Sequence, residues 1–252
     1  MGSFLSRFLA PAGRYPACGM FTRDHIITAA ACILVSAACA LIFGRRLRKR
    51  TIHKLALAAA VILTLLECVK IGHAFYYGSP APDAWIPLSF CSIFTVSLWL
   101  YRFCDGAVGK AAETYIAFAA PLAGLCFMIF PTTSLMSYPI WHFLSVFSML
   151  FHSLMIFIGL MLFHRKRQLT LFGWISYTVY ISLFGIVAIA LNRIIGTNLM
   201  NLREPYNIPI SPIQALYSAS PRAFTIIVLA AYIAVPIFTA AITGRIRRGD
   251  AG

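Results

Sequence analysis

Residues 140–163 read IWHFLSVFSMLFHSLMIFIGLMLF, and the fold turns on how they are understood. The run is long and apolar enough to cross a bilayer as a helix, which takes about 20 residues. Yet it carries His142, Ser145, Ser148 and His152. Steps of three, three and four residues return these side chains to one side of a helix. The other side is Phe, Val, Met and Leu. Ionisable groups at membrane depth are costly, so they face a protein interior or a wet cavity. Two readings stand open: histidines satisfied by neighbouring helices, or a functional polar pocket.

The composition fits a membrane solvent. The 252 residues are 60% hydrophobic and 11% charged, with mean hydropathy +0.82. That excludes a soluble globular domain and a disordered chain, and leaves room for about seven spans. Seven cysteines lie mostly inside apolar runs with no CxxC pair, so neither a disulfide framework nor a zinc site is expected. No metal is expected, and no haem, flavin or nucleotide motif appears.

Outward from span five (140–163), the expected spans are 25–44, 54–75, 86–104, 111–130, 170–195 and 222–244. Residues 1–24 form a short extracytoplasmic segment, and 245–252 a basic tail. The opening MGSFLS matches a myristoylation pattern, but the topology places this end outside the cytosol. Pro11 and Gly13 cut the apolar run too short for a signal peptide. Fourteen Lys and Arg lie on one side of the membrane, in RRLRKR (45–50), Lys54, Arg102, Lys110, Arg165–Arg167 and the tail. Five lie on the other: Arg7, Arg14, Arg23, Arg203 and Arg222. The positive-inside rule then predicts an all-α polytopic protein with seven transmembrane helices. Its N-terminus is outside and its C-terminus cytoplasmic. The formal charge of +14 is read as topology signal and anionic-lipid contact, not nucleic-acid binding. No repeat or pair of broken helices of the transporter kind appears, and Pro121, Gly124 and Pro236 are read as isolated kinks.

Polar groups at membrane depth are the candidate site. Glu67 and Lys70 sit one turn apart with His73 beyond, able to neutralise each other. Span three enters as WIPLSFCSIF (85–94), with Pro87 in a first helical turn and Ser89, Cys91 and Ser92 near the outer interface. Cys91 becomes a nucleophile only beside a base or cation. Asn192 and Arg193, at the base of a long loop that includes Asn198, suit an anionic headgroup. Thr225, Tyr232, Thr239 and Thr243 read as packing contacts of span seven. His152 lies about 15 Å deeper than His142, so Cys91 and His152 meet only if spans three and five are offset.

The ordered set of Glu67/Lys70, IPLSFC (86–91), Glu113 and Tyr115 leading to Pro131, His152, and GTNLMNLREP (196–205) resembles the YwaF-like family of bacterial integral membrane proteins. More distantly it is similar to the eukaryotic transmembrane acyltransferases that remodel ether phospholipids. The resemblance covers spans two to seven. It implies a membrane-embedded acyl-transfer site built from a cysteine at the head of span three and the histidine matched by His152, in a bacterial cytoplasmic membrane. Ser89 stands where the family has His, Leu199 where it has Tyr, and the relatives' cysteine position falls at Leu88, three residues before Cys91.

Two functions follow. In the first, a lipid acyltransferase or acyl-ester hydrolase, Cys91 attacks an acyl ester and His152 or His142 moves the proton. Glu67 and Lys70 assist, and Ser89, His142, Asn192, Arg193 and Asn198 hold a phospholipid or other lipid substrate. In the second, the same pocket binds or moves a lipid or small solute without chemistry.

Overall fold

Helices form where the apolar runs are unbroken. The computed structural model describes residues 2–78, 82–166, 168–205, 208 and 210–245, and no strand occurs among them. A short α1 (Gly2–Phe8) precedes α2 (Arg23–Arg46) and α3 (Lys49–Tyr76); a single turn, α4 (Pro82–Trp85), leads to α5 (Ile93–Phe103). Then come α6 (Gly106–Thr114), a π-helical turn (Tyr115–Ala119), α7 (Ala120–Ile129), α8 (Phe143–Arg165), α9 (Leu171–Ile194), α10 (Ser211–Ala219) and α11 (Pro221–Ile242). Several starts are capped by the residue types that do this best. Thr22 accepts from His25 N, Thr170 from Gly173 N and Ser220 from Ala223 N.

Six stretches have the length and apolarity to cross a membrane: Arg23–Gly44, Lys49–Tyr76, Gly106–Met136, Phe143–Arg165, Leu171–Ile194 and Pro221–Ile242. They coincide with six of the seven expected spans. The remaining one, expected over 86–104, contains only the 11-residue α5, about 16 Å of helix against a hydrocarbon core of about 30 Å. Pro87 is not in a first helical turn. It has no N–H and biases Ile86 away from helical geometry, and the chain runs irregularly until Ile93.

The π turn also has a local cause. Pro121 cannot donate to the carbonyl one turn back and its ring crowds it, so the backbone widens just before it. All five residues of the turn, Tyr115–Ala119, are fully buried. They form the centre of the bundle. α8 packs most extensively on α2, whose Ala29, Ser36, Ala40 and Gly44 form a buried stripe of small residues, the usual means of close approach in a membrane. On another side of α8, Gly159 meets Pro121 and Gly124 meets the His152 carbonyl.

The two ends of the bundle differ. At the basic end Lys166 pairs with Glu113 at 3.2 Å and Leu169 N donates to Arg245 O at 2.9 Å. At the opposite end the N-terminal segment folds over the helices, with Cys18 N donating to Tyr138 O and Gly19 N to Leu135 O. The long loop after α9 contains a 3-10 turn (Leu199–Asn201) and α10. Of the expected basic groups, Arg167, Arg247 and Arg248 lie outside the described residues, as does the tail beyond Arg245.

Candidate functional site

The break in the third span positions everything around it. Buried irregular backbone needs partners for its polar groups, and several in the 86–92 segment have them. Leu88 O accepts from Met200 N at 3.1 Å, and Phe90 O accepts from the Tyr115 hydroxyl at 2.5 Å. Cys91 O accepts from Phe94 N, and Ser89 Oγ accepts from Ser92 N. The Phe90 ring stacks on Tyr232 at 4.2 Å, and the Tyr232 hydroxyl donates to Met200 O. The 86–92 segment and the turn after α9 thus brace one another, with Leu199, Met200 and Leu202 all buried.

Cys91 is half-buried in a turn at the head of the 11-residue α5. Phe94, one turn on, meets Phe151 edge to face at 6.0 Å, so α5 begins level with the middle of α8. Cys91 is within electrostatic reach of Cys126, Tyr115 and Tyr232.

His152 is held from one side only. Its Nδ1 lies 2.7 Å from the Ser148 carbonyl, which makes Nδ1 the protonated nitrogen, and its ring stacks on Phe127 at 3.6 Å. Phe127 follows Cys126, so one short stretch of α7 touches the surroundings of both Cys91 and His152. Nε2 of His152 is enclosed and has no hydrogen-bond partner, and the same is true of Ser145 Oγ on the same face. No hydrogen bond joins Cys91 to His152. They belong to a set of seven such side-chain atoms among the described residues, each of which costs about 1–3 kcal/mol when left unpaired.

The other expected site residues separate into groups. Glu67 and Lys70 form an ion pair at 2.5 Å that closes on itself within α3. His142 is buried, but its Nδ1 accepts from Leu144 N and its Nε2 binds the Ala10 carbonyl at 2.9 Å. His73 reaches the Leu9 and Ala10 carbonyls at 3.2 and 3.3 Å. These two histidines therefore pin the end of the N-terminal segment. Asn192 is spent on the loop: Oδ1 accepts from Thr197 Oγ1 and Leu199 N, and Nδ2 donates to Leu199 O. Asn198 Oδ1 accepts from the amides of Arg203 and Glu204. Ser89 and Arg193 are exposed. Cys126 and Phe127 were not legible as site neighbours, because nothing in the spacing of α7 marks which of its faces meets the broken span.

A second polar cluster sits at the basic end. Glu113 Oε2 holds both Lys110 and Lys166 at 3.2 Å. Burial pushes the Lys166 ammonium below its ordinary range, and the Glu113 charge opposes that shift. A cleft of about 190 Å³ opens beside them, lined among others by Lys49, His53, Tyr101, Asp105 and Lys110. No group of His, Cys, Asp and Glu suited to a metal ion occurs among the described residues.

Residues 20–242 match the model of the TMEM164 family. No curated protein and no solved structure matches the chain.

Proposed function

The chain belongs to the TMEM164 family, a transmembrane protein family, and from that premise we propose that it is a lipid acyltransferase or acyl-ester hydrolase acting through Cys91 and His152. One observation supports the reading: the enclosed Nε2 of His152 has no hydrogen-bond partner, and α8 packs through Phe151 on Phe94 at the head of α5, one turn after Cys91. The YwaF-like and ether-lipid acyltransferase resemblance points the same way. So does the positive amino-terminal end of α5 at the cysteine, which favours developing negative charge. We also read α5 with its irregular entry as a seventh crossing. The basic end is then cytoplasmic, the N-terminal segment external and the whole a multi-pass protein of the cell membrane.

The chemistry needs no cofactor. His152, protonated at Nδ1 by its bond to the Ser148 carbonyl, takes the Cys91 thiol proton on Nε2. The sulfur then attacks an acyl ester of a membrane lipid, and the tetrahedral oxyanion forms near the α5 amino terminus. Collapse breaks the ester C–O bond, and the imidazolium returns its proton to the departing alcohol oxygen. A second lipid hydroxyl, or water, then gives its proton to Nε2 and cleaves the thioester, restoring the thiol. Lipid enters beside the exposed Ser89, with Arg193 available to a headgroup phosphate.

The test is the intact mass of detergent-purified protein before and after neutral hydroxylamine, for wild type, Cys91→Ala and His152→Ala. The expected result is a hydroxylamine-labile acyl adduct on wild type that is absent from Cys91→Ala and strongly reduced in His152→Ala. An adduct that persists in Cys91→Ala overturns the assignment. Bound lipid without adduct or turnover, lost in His152→Ala and kept in Cys91→Ala, establishes the non-catalytic binding reading instead.

A further inference from the structure

The cleft at the basic end lies on the far side of the bundle from Cys91 and has no part in the acyl-transfer reading. Two helices begin there, α3 at Lys49 and α6 at Gly106. Neither has a side-chain cap on its first amides, and neither has an acidic residue in its first turn. Helix starts normally attract Asp or Glu, because the unpaired N–H groups and the helix dipole carry partial positive charge. α3 instead opens on Lys49 and Arg50, and Asp105, although at the N-cap position of α6, makes no capping bond.

The side chains add to that field. Lys49 and Lys110 line this cleft with Asp105 and Glu113, and a neighbouring cleft that shares Lys49, Tyr101 and Glu113 with it adds Arg165 and Lys166. Over the two clefts together, four cations against two carboxylates leave two positive charges, before the helix termini are counted. Glu113 is already shared between Lys110 and Lys166. His53 stacks on Tyr101 at 4.5 Å, and its Nε2 is enclosed with no hydrogen-bond partner.

We infer that these two neighbouring clefts form one binding site for a phosphomonoester, a group carrying about two negative charges at neutral pH, held by Lys49, Lys110, Arg165 and the amino terminus of α6. Amino-terminal amides with flanking lysines are an established way to bind phosphate, and arginine adds a bidentate contact. Anionic-lipid attraction spread over all the basic runs would depend on charge alone. A built site discriminates by the shape and charge of one phosphate. The phosphate has two possible sources, the headgroup of a lipid in the same leaflet or a water-soluble phosphate ester.

The experiment is native mass spectrometry of the full-length protein with phosphatidic acid or phosphatidylserine titrated into phosphatidylcholine micelles. It is repeated with excess glycerol 3-phosphate. The comparison variant is Lys49→Gln/Arg165→Gln, which leaves the Lys110–Glu113–Lys166 group intact. Saturable retention of one phosphatidic acid, at least tenfold over phosphatidylserine and lost by tenfold or more in the variant, establishes the site. Displacement by millimolar glycerol 3-phosphate assigns it to soluble esters, and resistance assigns it to the headgroup. Equal retention of both lipids, or retention unchanged in the variant, overturns the inference in favour of diffuse surface attraction. Unfolding of the variant is checked by its thermal transition, and Lys49→Gln alone then serves in its place with a smaller expected loss of about threefold.

Discussion

Replacing Gly159 by alanine adds one methyl group where α8 approaches the π turn and Pro121 most closely. A Cβ there meets Pro121 Cγ at 2.5 Å, Pro121 Cδ at 2.7 Å and the Ile116 carbonyl oxygen at 2.8 Å. Neither a proline ring nor a helix carbonyl can turn aside. Restoring ordinary contact at about 3.5–4.0 Å requires α8 to retreat by roughly 1 Å. Overpacking of this kind costs about 1–3 kcal/mol, and the gain from replacing glycine within a helix offsets about 0.5–1 kcal/mol. The net expectation is a loss of about 1–2 kcal/mol. Gly72→Ala is the control, because it is the same chemical change on an exposed face of α3, where nothing lies within 4 Å. It keeps only the helical gain, which cancels in the comparison, so the two variants should differ by the overpacking cost of about 1–3 kcal/mol. Unfolding free energies measured by steric trapping in bicelles decide the matter. Equal stability of the two variants, or a Gly159→Ala protein as stable as wild type, would refute the close approach of α8 to the π turn. His152 is on α8, two turns away, so the same retreat should also slow formation of the Cys91 adduct by about 100-fold.

Asn192→Leu leaves the amide and carbonyl of Leu199 without their buried partners, at about 1–3 kcal/mol each. Hydrogen exchange of residues 196–202 should accelerate strongly while α8 stays protected, and uniform acceleration would show a global effect instead. Tyr115→Phe removes the donor to the Phe90 carbonyl and should lower stability by about 1–2 kcal/mol. Maleimide should then label Cys91 faster than in wild type, and an unchanged rate would mean that Tyr115 does not hold the broken span. Arg245 Nη1 donates to the carbonyls of Phe163 and Lys166, and its guanidinium lies 3.9 Å over the Phe163 ring. Arg245→Lys keeps the charge but not the planar fork, so limited trypsin cleavage in the α8–α9 connection should be several-fold faster, and equal rates count against the clamp.

The apolar runs and the one-sided placement of Lys and Arg determined on their own that this is an all-helical membrane protein, and they located six of its long helices. Hydrophobic length and charge asymmetry are properties of local sequence, so no tertiary information was needed. The inward face of α8 was likewise legible, because His142, Ser145 and His152 recur at helical spacing and all three are buried. What those groups do was not. Whether a histidine near the outer end serves a substrate or a carbonyl depends on what lies opposite, and the Ala10 carbonyl is 132 residues from His142. Asn192 was similarly read as a ligand group, and only the folded turn at Leu199 shows that its hydrogen-bonding capacity is used. The break in the third span was the decisive tertiary feature. Pro87 is compatible with the first turn of a helix or with the end of an irregular entry. The choice fell to the second because Met200, Tyr115 and Tyr232 satisfy and cover the irregular backbone from three other parts of the chain.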